Sequence, residues 1–222
     1  MNEINQHTRV NDILLGPLER PTLHWLAAHM PTWVTPDACT AIGMLGALLT
    51  MISYGLSNYS PIFLWLASLG FMFNWFGDSL DGTLARHRRI ERPRYGYYID
   101  HITDVVCQVM IFLGLGVTPY VSFNIACLAL IAYLLLSALV YLRTHIVGEF
   151  KISYGKLGPT ESRVVAVLLN TAMYFFGLQN ITLGQVIISV YDIVVAVIAM
   201  VLLGFFVNTG LQEARRLAAL GE

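Results

Sequence analysis

Four aspartates stand out in a chain with few charges: Asp78 and Asp81 near the end of one apolar stretch, Asp100 and Asp104 near the start of the next. On a helix, residues three or four apart share a face, so each pair presents its carboxylates together. A hairpin across the intervening loop would bring all four face to face. Ionised carboxylates packed at a membrane edge repel one another and are costly to desolvate; a divalent cation removes that repulsion. Oxygen-only ligands suit hard ions such as Mg2+ or Mn2+, and four aspartates suffice to bridge two ions, as in phosphoryl-transfer sites. Gly82 and Gly96 would let a nucleotide or a partner helix approach the backbone closely. Ala85 keeps the same face open one turn beyond Asp81, and Arg86 projects from the rim, where a guanidinium can grip a phosphate bidentately.

The elements that must position these residues are membrane helices. Of 222 residues, 56% are hydrophobic and only 12% charged, with a mean hydropathy of +0.64; a soluble domain carries about twice that charged fraction. No Asp, Glu, Lys or Arg occurs in residues 38–77, 105–142 or 164–191, runs longer than the roughly 20 residues that cross a bilayer. Apolar runs punctuated by Pro, Gly and charge predict an all-α polytopic membrane protein with six transmembrane helices, at residues 38–56, 61–85, 97–116, 121–143, 162–178 and 182–207. Residues 1–37 are expected to form an N-terminal cytoplasmic segment, amphipathic and lying along the interface because its Leu and Trp residues are too interrupted by His and Pro to span. Residues 38–208 form the catalytic bundle in this reading, and 209–222 a cytoplasmic tail.

Charge gives the orientation. Arg86, Arg88, Arg89, Arg92 and Arg94 follow the second span, Arg143, Lys151, Lys156 and Arg163 surround the loop after the fourth, and Arg215 and Arg216 follow the sixth. The other connections lack Lys and Arg, so the positive-inside rule puts both termini and the aspartates on the cytoplasmic side. The polar N-terminus and short loops are those expected of a plasma (inner) membrane protein. A net charge of -1 supplies no long-range attraction to nucleic acid. Cys39, Cys107 and Cys127 lie in apolar segments without metal-site spacing and read as small hydrophobes.

DSLDGTLAR, from Asp78 to Arg86, and GYYIDHITD, from Gly96 to Asp104, resemble the signature of the CDP-alcohol phosphotransferase family, D-x2-D-G-x2-A-R followed by G-x3-D-x3-D. The spacer, His87 to Tyr95, is slightly longer than the usual one, and Asp37 stands in the TPDACT segment where relatives commonly have Asn. The resemblance implies that Asp78, Asp81 and Asp100 hold a two-metal cluster with the donor pyrophosphate. It implies that Asp104 binds metal or acts as general base, that Gly82, Ala85 and Gly96 line a cytidine site, and that Arg86 contacts phosphate. The implied reaction is attack of an acceptor hydroxyl on the phosphorus of a CDP-linked donor, with release of CMP, in phospholipid synthesis. Family members often form homodimers, which makes a homodimer an expectation of the resemblance alone.

Other residues are weighed against plainer roles. Asn74, one turn before Asp78, is a candidate to order a carboxylate or touch the nucleotide, or simply to bond a neighbouring helix. His101 is a candidate for substrate contact or for packing. Arg143, Lys151 and Arg163, with His145, Lys156 and Glu161, are candidates for an acceptor pocket, or set topology only. Asp192, expected near the middle of the last span, needs a partner or a wet cavity. The small size of the chain favours CDP-diacylglycerol as donor to a small polar alcohol. The alternative is a CDP-linked small alcohol of the choline or ethanolamine type donating its head group to a diacylglycerol-like lipid, a branch that the Asp100-His101 step and the GPTE segment distantly resemble. A metal-ion transporter is the remote alternative, since acidic residues within spans also mark ion paths; it would need carboxylates spread across the bilayer depth.

Overall fold

A computed structural model describes residues 8–10, 14–147, 149–151, 158–183 and 186–219, without the side chains of 8–10, 145, 147, 149–151, 183 and 186. Its helices are α1 (Gly16–His29), α2 (Pro36–Leu56), α3 (Phe63–Arg88), α4 (Pro93–Val117), α5 (Phe123–Val147), α6 (Pro159–Phe176) and α7 (Val190–Ala219). Two short ribbons accompany them. Strand β1 (Thr8–Val10) pairs in parallel with β2 (Glu149–Lys151), and β3 (Asn180–Leu183) pairs antiparallel with β4 (Val186–Ser189), Ile181 opposite Ile188.

The expectation of six membrane-spanning helices is corrected. Among the described residues, four helices are long and apolar enough to cross a membrane: α2, α4, α5 from Phe123 to Thr144, and α7. The chain is a helical, polytopic membrane protein. Helices also form at the other two places, but α3 carries Asn74, Asp78, Asp81, Arg86 and Arg88 within its own length, and α6 spends its first turn on polar residues and ends after 18. The uncharged run at 164–191 is long only because it continues beyond α6 into β3 and β4. The last helix accordingly starts at Val190 rather than near residue 182, and Asp192 falls in its first turn.

Local chemistry explains the helix ends that matter. Thr35 caps α2, its Oγ1 accepting from the Ala38 N–H at 3.1 Å, with Pro36 preset for the first turn. Glu161 reaches back along α6 to accept from the Gly158 N–H at 2.9 Å. Arg89 closes α3 with a left-handed φ of 56°, and the Ile90 N–H returns to the Ala85 carbonyl at 3.0 Å, which turns the chain sharply toward α4.

Helices α2 and α3 form a close antiparallel hairpin because glycines remove side chains from both. A Cβ on Gly46 would stand 2.5 Å from the Asn74 nitrogen and 2.7 Å from the Gly70 oxygen, and one on Gly77 would fall on the backbone of Cys39 and Gly43. Helix α4 lies against the other side of α2, where Gly114 meets Met51. Helices α5 and α7 run parallel. Asp192 accepts from the Ser122 N–H (2.7 Å) and Oγ (2.9 Å) at one end, while Arg143 pairs with Glu213 at 3.4 Å at the other.

A larger core joins Tyr54, Leu64, Phe71, Ala129, Met173, Tyr191 and Val195 from α2, α3, α5, α6 and α7 with Tyr120 from the α4–α5 connection. Within it, Tyr54 donates to Asn170 at 2.9 Å and Asn170 to Ser68 at 3.2 Å, a polar junction of α2, α6 and α3. A smaller core of Leu23, Ala27, Val34, Cys39, Leu80 and Leu84 seats α1 on α3. The opposite side of α1 leaves Leu18 and Trp25 exposed. Large exposed side chains such as Leu45, Ile131, Val197 and Met200 cover the outside of the bundle, a surface suited to lipid rather than water.

Candidate functional site

The close α2–α3 approach and the turn at Arg89 determine where the aspartates go. Carboxylate oxygens of Asp78 on α3 and of Asp100 and Asp104 on α4 all lie within 4.8 Å of one another, and all three residues are half-buried. Asp81, one turn beyond Asp78, is directed toward α2. It accepts from Thr40 Oγ1 at 2.7 Å and from its neighbouring Gly82 N–H at 2.5 Å. It nonetheless lines the same narrow cavity, together with Thr40, Gly43, Asn74, Asp78, Thr103, Asp104 and Cys107. Burial, more than any other cause, pushes the Asp81 carboxyl up to about 7; the charges of Asp100 and Asp78 add to the rise and the Thr40 hydrogen bond opposes it.

The donor set fits a divalent cation. Hard cations bind oxygen at about 2.0–2.6 Å, so oxygens sharing one ion stand at most about 5 Å apart. The three-carboxylate group meets that limit, and a cation would relieve the repulsion inherent in it.

One positive charge already stands there. Arg163, from the first turns of α6, donates to Asp78 Oδ2 at 2.6 Å through Nη2 and to Asn74 Oδ1 at 2.8 Å through Nε. Asn74 in turn donates to the Gly43 carbonyl at 3.0 Å, so it links α3, α6 and α2. Arg163 Nη1 is buried and has no hydrogen-bond partner among the described residues.

The remaining sequence candidates are distributed as follows. Arg86 is exposed at the rim, donating to Thr83 Oγ1 at 3.2 Å, and its guanidinium lies where a side chain on Gly82 would contact it at 3.3 Å. Ala85 is half-buried on the same helix, and Gly96 faces open space. His101 is held between Tyr97 and Tyr141, with ring centroids 4.0 and 4.6 Å away, and its Nδ1 is 3.4 Å from Asp100 Oδ2. Arg143 is occupied by Glu213 on α7. Lys156 lies outside the described residues, as do the side chains of Lys151 and His145.

Residues 33–207 match the protein-family model described as CDP-alcohol phosphatidyltransferase. The chain belongs to that family. Within the CDP-alcohol phosphatidyltransferase family, it is similar to cholinephosphotransferase 1 of Gallus gallus, 26% identical over 187 residues that cover 79% of this chain and 54% of the relative. Similarity extends to cholinephosphotransferase 1 of Danio rerio, at 25% over 168 residues (70% and 42%), and of Bos taurus, at 25% over 187 residues (79% and 44%). The chain spans about half the length of these curated relatives.

Two participants escaped the sequence reading. Thr40 is 41 residues from Asp81, and only the glycine-paved α2–α3 contact brings them together. Glu19 in α1 accepts from Trp75 Nε1 (3.0 Å), Ser79 Oγ (3.1 Å) and Thr160 Oγ1 (2.9 Å). The only available signal for Glu19 was an acidic residue in a segment otherwise read as lying on the membrane surface.

Proposed function

We propose that this protein transfers the phospho-alcohol head group of a CDP-linked small alcohol, of the choline or ethanolamine type, to the hydroxyl of a diacylglycerol-like lipid, releasing CMP. The convergence of Asp78, Asp100 and Asp104 supports the phosphoryl-transfer chemistry. The donor is chosen on the relatives, all three named for cholinephosphotransfer, in place of the CDP-diacylglycerol donor expected from chain size.

In this reading Asp78, Asp100 and Asp104, with Asp81 on the adjoining wall, hold Mg2+ or Mn2+, two ions in all. Bound there, the ions neutralise the donor diphosphate and the charge that develops on the leaving phosphate. The protein's own groups do the rest. Arg163 Nη1 has a spare donor for a phosphate oxygen, and Arg86 at the rim offers a second guanidinium. Gly96 opens the start of α4 to the nucleotide. The acceptor oxygen forms its bond to the donor phosphorus as the bond from that phosphorus to the CMP oxygen breaks. The hydroxyl proton passes to a carboxylate of the cluster, Asp104 in this assignment, and CMP leaves with the bonding electrons. Holding the hydroxyl beside the phosphorus lowers the barrier before any proton moves.

The arginines at positions 86, 88, 89, 92 and 94 lie between the two aspartate pairs, which by the positive-inside rule supports a cytoplasmic site; in this reading both termini share that side and the membrane is the plasma (inner) one. The test is lipid mass spectrometry and CMP release with purified protein and Mn2+ or Mg2+. One set of reactions pairs CDP-choline or CDP-ethanolamine with diacylglycerol, and the other pairs CDP-diacylglycerol with a panel of polar alcohols. Product from the first set is expected; product from the second alone would reverse the donor assignment, and metal-independent turnover would reject the mechanism.

A further inference from the structure

Arg163 can reach Asp78 only if the start of α6 stays against α3, and α6 makes no covalent turn with α3 that would hold it there. What holds it is a carboxylate from a third helix. Glu19 Oε1 accepts from Trp75 and Ser79 on α3 and from Thr160 on α6. Trp75 and Ser79 each follow by one position the two residues, Asn74 and Asp78, that receive Arg163. Thr160 precedes Arg163 by three positions, about one turn. A second tie lies alongside, since the Leu15 N–H at the start of α1 donates to Glu161 Oε1 at 2.8 Å. The far end of α1 is tied as well: Arg88 of α3 donates to the carbonyls of Met30 (3.0 Å) and Pro31 (2.7 Å), and also to that of Val34. Helix α1 is therefore bound to α3 at both ends and bridges α3 to α6 over the first turn of α6.

We propose that Glu19 is a positioning residue for the aspartate cluster, holding α6 so that Arg163 stays on Asp78 and Asn74 and so setting how much of the Asp78 carboxylate is left for a cation. This rests on the reading of the cluster as a divalent-metal site. A guanidinium 2.6 Å from Asp78 competes electrostatically with a cation for the same oxygens. Loss of the Glu19 bridge frees the start of α6, lets Arg163 withdraw, and makes Asp78 a better ligand.

The experiment uses the full chain in lipid nanodiscs and Mn2+ alone as the probe, reading the Mn2+-dependent rise in Tm and the free Mn2+ by electron paramagnetic resonance. Arg163→Ala is expected to lower the Kd for Mn2+ about tenfold, and Glu19→Ala to lower it in the same direction by less. The double variant is expected to match Arg163→Ala alone. Glu19→Gln retains one acceptor oxygen and should fall between wild type and Glu19→Ala. Should Glu19→Ala fail to fold, Thr160→Val and Ser79→Ala each remove one donor and carry the same test. Additive effects of Glu19 and Arg163, or an unchanged Mn2+ Kd in all Glu19, Ser79 and Thr160 variants, would overturn the proposal. Asp100→Asn separates the two questions. If wild type and Asp100→Asn respond identically to Mn2+, the metal reading itself is wrong; if Asp100→Asn loses the response while the Glu19 variants equal wild type, only the role of Glu19 is.

Discussion

The protonation of Asp81 answers to its surroundings. Its carboxyl is lifted to about 7 chiefly by burial, so near neutral pH a proton competes with a cation for it. Raising the pH through that value deprotonates the group and favours metal; lowering the pH disfavours it. The metal concentration giving half-maximal CMP release is thus expected to rise as pH is lowered from about 8 to about 6. Thr40→Val removes the hydrogen bond that opposes the lift, and should move this dependence to higher pH; an unmoved profile would show that Asp81 is not the titrating group. Asp100→Asn and Asp104→Asn are expected to reduce CMP release by at least about 100-fold, a scale set by loss of a group acting in proton transfer or charge stabilisation, while the circular dichroism of the bundle stays unchanged. The aspartates were legible in the sequence because charge is scarce around them and their spacing is helical. Thr40 and Glu19 were not, because a hydroxyl near a helix start and a carboxylate in a segment read from sequence as interfacial have ordinary local explanations, and their partners are distant in the chain.

At the scale of elements, the α2–α3 hairpin depends on positions where backbone meets backbone. Gly77→Val would drive methyl groups into Cys39 and Gly43, and overpacking of this kind typically costs about 1–3 kcal/mol. A lowered Tm in detergent, together with loss of the Thr40–Asp81 pairing, is the expected result, whereas Gly204→Val, at a position with no atom near its missing Cβ, should leave both intact. Helices were readable from apolar runs, but their starts were not: Pro36, Pro93 and Pro159, each at a first turn, begin them ahead of the apolar runs at 38, 97 and 162. The β3–β4 ribbon was not. Its residues, NITL and VIIS, are as apolar as a membrane helix, and a short run of that kind carries no periodicity to separate strand from helix.

At the scale of the whole molecule, hydropathy announced a membrane protein but overcounted its spans, because it judged runs of sequence rather than helices. Helices α3 and α6, which fall outside the four long apolar ones, are those that bring Asp78 and Arg163 together. Orientation is open to a direct measurement: Arg94→Cys should react with an impermeant thiol reagent only from the cytoplasmic side of sealed vesicles. Reaction of Arg94→Cys from the outer side would invert the topology. The Tyr54–Asn170–Ser68 junction bears on motion. It lies seven residues along α6 from Arg163, two helical turns away, so α6 is pinned by polar bonds at two levels. Sliding it by one turn would strand a buried amide and a buried guanidinium at once, a cost of several kcal/mol. Helix α6 therefore stands as a fixed post, and under the proposed reaction the breathing that a bulky lipid and a departing CMP require falls to the thinly covered first half of α4.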